Sequence, residues 1–305
     1  MVHDAVAKAL AGKPRVVLAV SGGTDSMALL DAAAHVARSR VAAVATFDHG
    51  TGETARTAAA FVTEQAMARG LRIVVGYAGS VGTPIATTEA EWRAARWEFL
   101  RGVARDARAP VVTAHTRDDQ IETVLMRIMR AAGARGLAGL YADSDVIRPL
   151  IDVPRTATEA YVRERNVPVI EDPTNASRAH LRNRLRLDLL PALRGVRPEF
   201  DNEMLDLARR AAAWRFDVEQ LVKRFCPVDR IGDHFAVAVA DLAGYDAESL
   251  AIIWPAIAAR AGVTLDWRGT SRVVAFTTGG RVGSSIQLSG GVEVARTRAQ
   301  FVIRR

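Results

Sequence analysis

The chain has 305 residues, 49% hydrophobic and 25% charged, enough for one large or two modest domains with a buried core. Its formal charge is +7, and all but three of its 41 basic residues (Lys8, Lys13 and Lys223) are arginine; such an excess suits a nucleic-acid partner, although a composition rich in Ala, Arg and Val produces it without one. A single cysteine, Cys226, excludes a disulfide framework, a Cys-based zinc site and a Cys-x-x-Cys sulfur relay, and no apolar run approaches the roughly 18 residues of a membrane span, so the expectation is a soluble, cytoplasmic protein with no secretory leader and no membrane partner.

Strand patterns are expected at 15–20, 41–47, 71–77 and 109–114, with helical patterns at 24–38, 54–69 and 88–106 between them. This alternation predicts an α/β fold: a doubly wound, mostly parallel sheet with helices on both faces and a ligand beyond the C-terminal strand ends. The first such end carries Ser21-Gly22-Gly23-Thr24-Asp25-Ser26, where an apolar run stops and a helix starts. Unpaired N–H groups and the helix dipole favour an anion there. Gly22 and Gly23 permit positive φ and close approach of a phosphate, and Ser21, Thr24 and Ser26 add hydroxyl donors. Asp25 suits a magnesium ion or a substrate ammonium. The loop is neither a Walker A sequence nor Gly-x-Gly-x-x-Gly; the bland alternative is a Gly-Ser turn.

The second strand ends in Asp48-His49-Gly50, either a nucleotide contact or a turn. Thr88 and Glu91 have capping-box spacing, and the helix they open carries Arg93 and Arg96 one turn apart beside an apolar stripe of Trp92, Ala95 and Phe99. A solvated arginine face is the ordinary reading of that pair. The fourth strand runs into His115, Asp118, Asp119 and Glu122. Ile121, Val124, Leu125 and Ile128 make the buried stripe of the following helix, which places Asp119 and Glu122 on the opposite face, where they need a shared cation: magnesium or a lysine ammonium. His115 with carboxylates suits magnesium or hydrogen bonding better than zinc. An acidic first turn complementing the helix dipole is the alternative.

A Gly-rich connection at 130–140, Arg148-Pro149-Leu150, a helix at 155–165 and the turn Glu171-Asp172-Pro173-Thr174-Asn175 come next. Between 178 and 197 stand six arginines (178, 182, 184, 186, 194 and 197) and one acid, Asp188; with Leu181, Leu185, Leu189 and Leu190 inward, they predict a basic face. A helix over 199–225 reads as a spacer. Residues 230–305 read as a small α/β domain, with a strand at 235–240, helices at 246–261 and 266–277, and a hairpin 284–289/292–303. The expected domains are 1–195, a helical linker 196–229, and 230–305.

The loop Ser21–Ser26 resembles that of the PP-loop ATP pyrophosphatases, which split ATP between the α- and β-phosphates. Asp48-His49-Gly50, Arg93-x-x-Arg96, His115-x-x-Asp118-Asp119-x-x-Glu122, Gly136-Leu137-Ala138-Gly139, Arg148-Pro149-Leu150, Glu171–Asn175 and Arg182-Asn183-Arg184-x-Arg186 follow in order. Together they resemble the tRNA(Ile)-lysidine synthetase family over about residues 15–195, with a weaker likeness near Gly290-Gly291. Departures are Thr51-Gly52 for the usual Leu-Arg, Ala131 for Gly, Trp97 for Tyr and Thr174 for Ser; the extra C-terminal domain of longer members is not expected. The resemblance implies a PP-loop (adenine nucleotide α-hydrolase-like) fold, ATP and Mg2+ as cofactors, and tRNA(Ile) with a CAU anticodon and free L-lysine as partners. A homodimer is compatible with it. By the same resemblance, Asp25, Asp119 and Glu122 are catalytic; Ser21, Gly22, Gly23, Thr24, Asp25, Ser26, Asp48, His49 and His115 bind ATP, with magnesium on Asp25. Arg93, Asp119 and Glu122 bind lysine, and Arg178, Arg182, Arg184, Arg186 and Arg194 bind tRNA. A tRNA thiolase or a small-molecule amidotransferase shares the first loop, but the lone Cys226 argues against thiolation. A non-catalytic RNA-binding protein is opposed by the intact Asp25, Asp119 and Glu122.

Overall fold

A computed structural model describes residues 1–50, 52–78, 88–170 and 177–304. Thr51 and the turn Glu171–Asn175 lie outside them. The chain forms two compact units, Met1–Met126 with Asp143–Leu205, and Arg127–Ala142 with Asp206–Arg305.

In the first unit α1 (Val2–Leu10) precedes an alternation of β1 (Val16–Ala19), α2 (Thr24–Val36), β2 (Val41–Asp48), α3 (Glu53–Ala68), β3 (Ile73–Tyr77), α4 (Glu89–Ala107), β4 (Val111–Val112) and α5 (Arg117–Met129). The strands form a wholly parallel sheet in the order β3-β2-β1-β4. A strand buried on both faces alternates its side chains between two cores. Val16, Leu18 and Val20 enter one with α1 and α2, while Val17 and Ala19 enter the other with Leu100 and Val103 of α4. The capping box at Thr88 and Glu91 forms, with both reciprocal hydrogen bonds present. α1 has no counterpart in the sequence reading; Val2, Val6 and Leu10, spaced four apart, give it one buried stripe.

After α6 (Ala134–Leu137), which belongs to the second unit, α7 (Arg155–Glu164) packs on α2. α8 (Leu181–Arg184) then continues through a π-helical turn, Leu185–Leu189, into α9 (Leu190–Val196). Leu185 and Leu190 are buried as expected, but Leu189 is 38% exposed, because the widened turn rotates it out of the inward stripe.

α10 (Phe200–Phe225) leads into the second unit: β5 (Asp229–Ile231), β6 (His234–Ala238), α11 (Ala247–Arg260), α12 (Trp267–Gly279), β7 (Ser285–Leu288), β8 (Val292–Arg296) and β9 (Gln300–Arg304). Its antiparallel sheet has the order β5-β6-β9-β8-β7. The expected second hairpin arm, 292–303, is two strands, because Thr297 turns the chain by accepting hydrogen bonds from Ala299 and Gln300. Trp254, Phe276 and Phe301 centre this unit's core, and Cys226 is buried within it. No described helix is long and apolar enough to cross a membrane.

Candidate active site

The glycine loop leaves the C-terminal end of β1, beside the strand-end positions of β2 and β4. Ser26 closes it: its Oγ accepts from the N–H groups of Ser21 (3.2 Å) and Gly22 (3.1 Å) and donates to the Gly23 carbonyl (2.8 Å). Gly22 sits at φ +93° and needs to be glycine. Gly23, expected to share that conformation, has φ −74° and acts as the N-cap of α2. No side chain caps this helix, so its first-turn N–H groups remain available to an anion.

The three acids expected to be catalytic come together through a residue the sequence reading passed over. Arg155, the first residue of α7, donates from Nε to Asp25 (3.4 Å), from Nη1 to Glu122 (3.1 Å) and from Nη2 to Asp119 (3.1 Å). Its own backbone N–H donates to Asp118 (2.8 Å). Opposed by burial, the surrounding carboxylates still raise the Arg155 pKa. Asp25 also accepts from the Thr158 hydroxyl, one turn along α7. Burial pushes the Asp25 carboxyl up, outweighing the hydrogen bond from Thr158 and the charge of Arg155.

Asp119 and Glu122 do not lie on an open helix face as expected; both are buried, Glu122 completely. Asp119 Oδ2 accepts from the backbone and hydroxyl of Thr116, and its Oδ1 accepts from Arg155 and Arg182. Glu122 Oε1 accepts from Arg155 and Arg186, and Oε2 from Arg182 (2.6 Å) and Arg186. Burial alone would raise the Glu122 carboxyl; Arg186, Arg182 and Arg155 bring it down to about 2 instead.

A cavity of about 370 Å³ joins these parts, lined by the loop residues Ser21 and Gly23–Ser26, by His115 and Asp119, and by Arg96, Arg155, Glu159 and Arg186. Glu122 lies behind this lining. His115 is held neutral, its pKa lowered to about 4 by burial despite nearby Asp119, and its Nδ1 pairs with the Thr113 hydroxyl at 2.8 Å. Asp48 and His49 stand outside the lining. Asp48 accepts from the Gly50 N–H (2.8 Å), the turn-forming alternative, and His49 packs edge-on against Phe47. Arg93 is exposed and also outside the lining, whereas Arg96, one turn on, reaches the cavity.

The expected basic face is largely spent on internal pairs, a correction to the sequence reading. Arg178 pairs with Asp188, Arg182 and Arg186 with the site acids, Arg194 with Asp118 and Asp201, and Arg197 with Glu203. Among the five arginines expected to bind tRNA, only Arg184 is exposed without a partner among the described residues. Carboxylates distant in sequence claim the rest, which composition cannot show.

Residues 2–193 match the PP-loop domain family. The first unit has that fold: the chain superposes on the U34-tRNA thiolase NcsA from Methanococcus maripaludis with a TM-score of 0.56 at 14% identity, covering 70% of this chain and 78% of that one. It is a PP-loop ATP-binding protein. Over nearly its whole length it is also similar to the tRNA(Ile)-lysidine synthase of Salinispora tropica, 34% identical with 92% of this chain and 88% of the relative covered. The enzyme of Salinispora arenicola is 33% identical, with 99% and 95% covered. The chain belongs to the tRNA(Ile)-lysidine synthase family.

Proposed function

We propose that the cavity at the glycine loop carries out lysidine synthesis on tRNA(Ile) with a CAU anticodon. O2 of the wobble cytidine attacks the α-phosphorus of ATP, the bond to the β-phosphate breaks, and pyrophosphate leaves. The ε-amine of free lysine then attacks C2, the C2–O bond breaks, AMP departs, and the new amine sheds its protons. The α2 N-terminus and the loop hydroxyls receive the triphosphate. The all-oxygen donors Asp25, Thr24 and Ser26 suit magnesium. When bound, magnesium neutralises charge on the phosphates. Arg96 is better placed than Arg93 to take the lysine carboxylate. Asp119 and Asp25 face the cavity as the acids that meet substrate, while Glu122 acts by anchoring Arg182 and Arg186.

The observation that carries this reading is Arg155: one guanidinium ties the loop acid Asp25 to Asp119 and Glu122, so nucleotide and amine chemistry share a single pocket. The test is mass spectrometry of the anticodon fragment after incubation with ATP, lysine and tRNA(Ile). Wild type should add lysine to the wobble cytidine with release of pyrophosphate, and Asp119→Asn should not. Pyrophosphate release without modified cytidine would point to another PP-loop reaction.

A further inference from the structure

Most charged groups lining the cavity are already partnered. Asp25 and Asp119 are held by Arg155, and Arg186 by Glu122. Two groups of opposite sign are not. Glu159 follows Arg155 by one turn of α7, is exposed, and has no hydrogen-bond or ion-pair partner among the described residues. Arg96 belongs to α4, is largely buried, and is likewise unpartnered; burial and the charge of Arg93 lower its pKa. A buried guanidinium without a carboxylate is costly unless a ligand supplies one. The two residues come from helices on opposite faces of the sheet, since α4 packs with Val17 and Ala19 and α7 with the core of Val16 and Leu18.

We infer that Glu159 and Arg96 are the two jaws of a clamp for the zwitterionic end of the amino-acid substrate, Arg96 taking the α-carboxylate and Glu159 the α-ammonium. This rests on the function proposed above. The assignment to the α- rather than the ε-ammonium follows from the chemistry. The attacking nitrogen must be neutral, and a carboxylate fixed on it would favour its protonated form and oppose attack. A permanent, exposed anion therefore serves the amine that never reacts. It also selects against diamines and ω-amino acids that lack one half of the zwitterion.

The test is calorimetric lysine binding by the full chain with tRNA(Ile) and a non-hydrolysable ATP analogue, beside lysidine formation by the same preparation. Glu159→Gln should weaken lysine binding about tenfold, the scale of one charge-assisted hydrogen bond. It should leave binding of 6-aminohexanoate, which lacks the α-amine, and the magnesium dependence of ATP binding unchanged. Glu159→Asp should recover part of the loss. Equal lysine affinity in wild type and Glu159→Gln, or a shifted magnesium dependence, overturns the clamp while lysidine formation by wild type still supports the proposed reaction. Lysine binding that depends on Glu159 without lysidine formation keeps the clamp and removes the reaction.

Discussion

Asp25 sits where a negative charge is poorly tolerated: burial raises its pKa even though Thr158 and Arg155 both favour the ionised form. A carboxyl whose folded-state pKa lies above its unfolded value, about 3.9, disfavours the fold increasingly as the pH rises past that value. Glu122 has the opposite sign. Its folded pKa, about 2, lies below the unfolded value of about 4.3, so its contribution is present at neutral pH and is lost as the pH falls toward 2. Asp25→Asn should therefore raise the melting temperature at pH 7 relative to wild type, with the gap closing toward pH 4, while pyrophosphate release disappears. A melting series from pH 4 to 8 beside the activity assay measures both, and a lower melting temperature at pH 7 would contradict the argument. Thr158 is a second residue the sequence could not single out. A threonine inside a helix carries no motif, and only the fold brings it to Asp25.

The strands were readable because each is a short apolar, β-branched run, and the helices between them because their apolar positions recur at helical spacing. α1 was not. Nine residues with three buried apolar side chains make a weak pattern, and the helix is stable because the core accepts Val2, Val6 and Leu10. It is pinned from outside as well. His3 pairs with the Tyr161 hydroxyl at 2.7 Å, and that hydroxyl donates to buried Asp31 at 2.8 Å. His3, Asp31 and His35 offer ligand atoms within 4.8 Å of one another, but Asp31 is already neutralised by Arg69 and Arg165, which disfavours a cation there. Leu10→Ala should cost about 3 kcal/mol in urea unfolding, as a fully buried leucine does. A loss under about 1 kcal/mol would show that α1 is peripheral to the core. In the second unit the turn after β8 was missed because it uses a threonine hydroxyl, not glycine.

Across the whole molecule a formal charge of +7 overstates what a polyanion meets. The arginines that sequence spacing gathers into one basic stretch are mostly bound to carboxylates of the same chain. Their partners could not be read locally, because Glu122 and Arg182 are 60 residues apart. On the proposed reading Arg184 meets a backbone phosphate and Arg182 does not. Arg184→Ala should weaken tRNA binding and reduce the slope of log affinity against log salt by about 1. Arg182→Ala should leave that slope unchanged and lower the melting temperature. Filter binding across a salt series decides, and an unaltered slope for Arg184→Ala would take that residue out of the interface.

The π-helical turn at Leu185–Leu189 has a consequence for how this segment can vary. Arg182 and Arg194 both reach the first turns of α5, though twelve positions apart they would point about 120° away from each other in an unbroken α-helix. The wide turn absorbs one residue and leaves an effective separation of eleven, within about 20° of three full turns. Deleting a single amino acid here would restore regular winding yet swing the downstream guanidinium off Asp118. In this family member the register of an apparently unremarkable leucine-rich stretch is as constrained as the identity of the charged residues it carries.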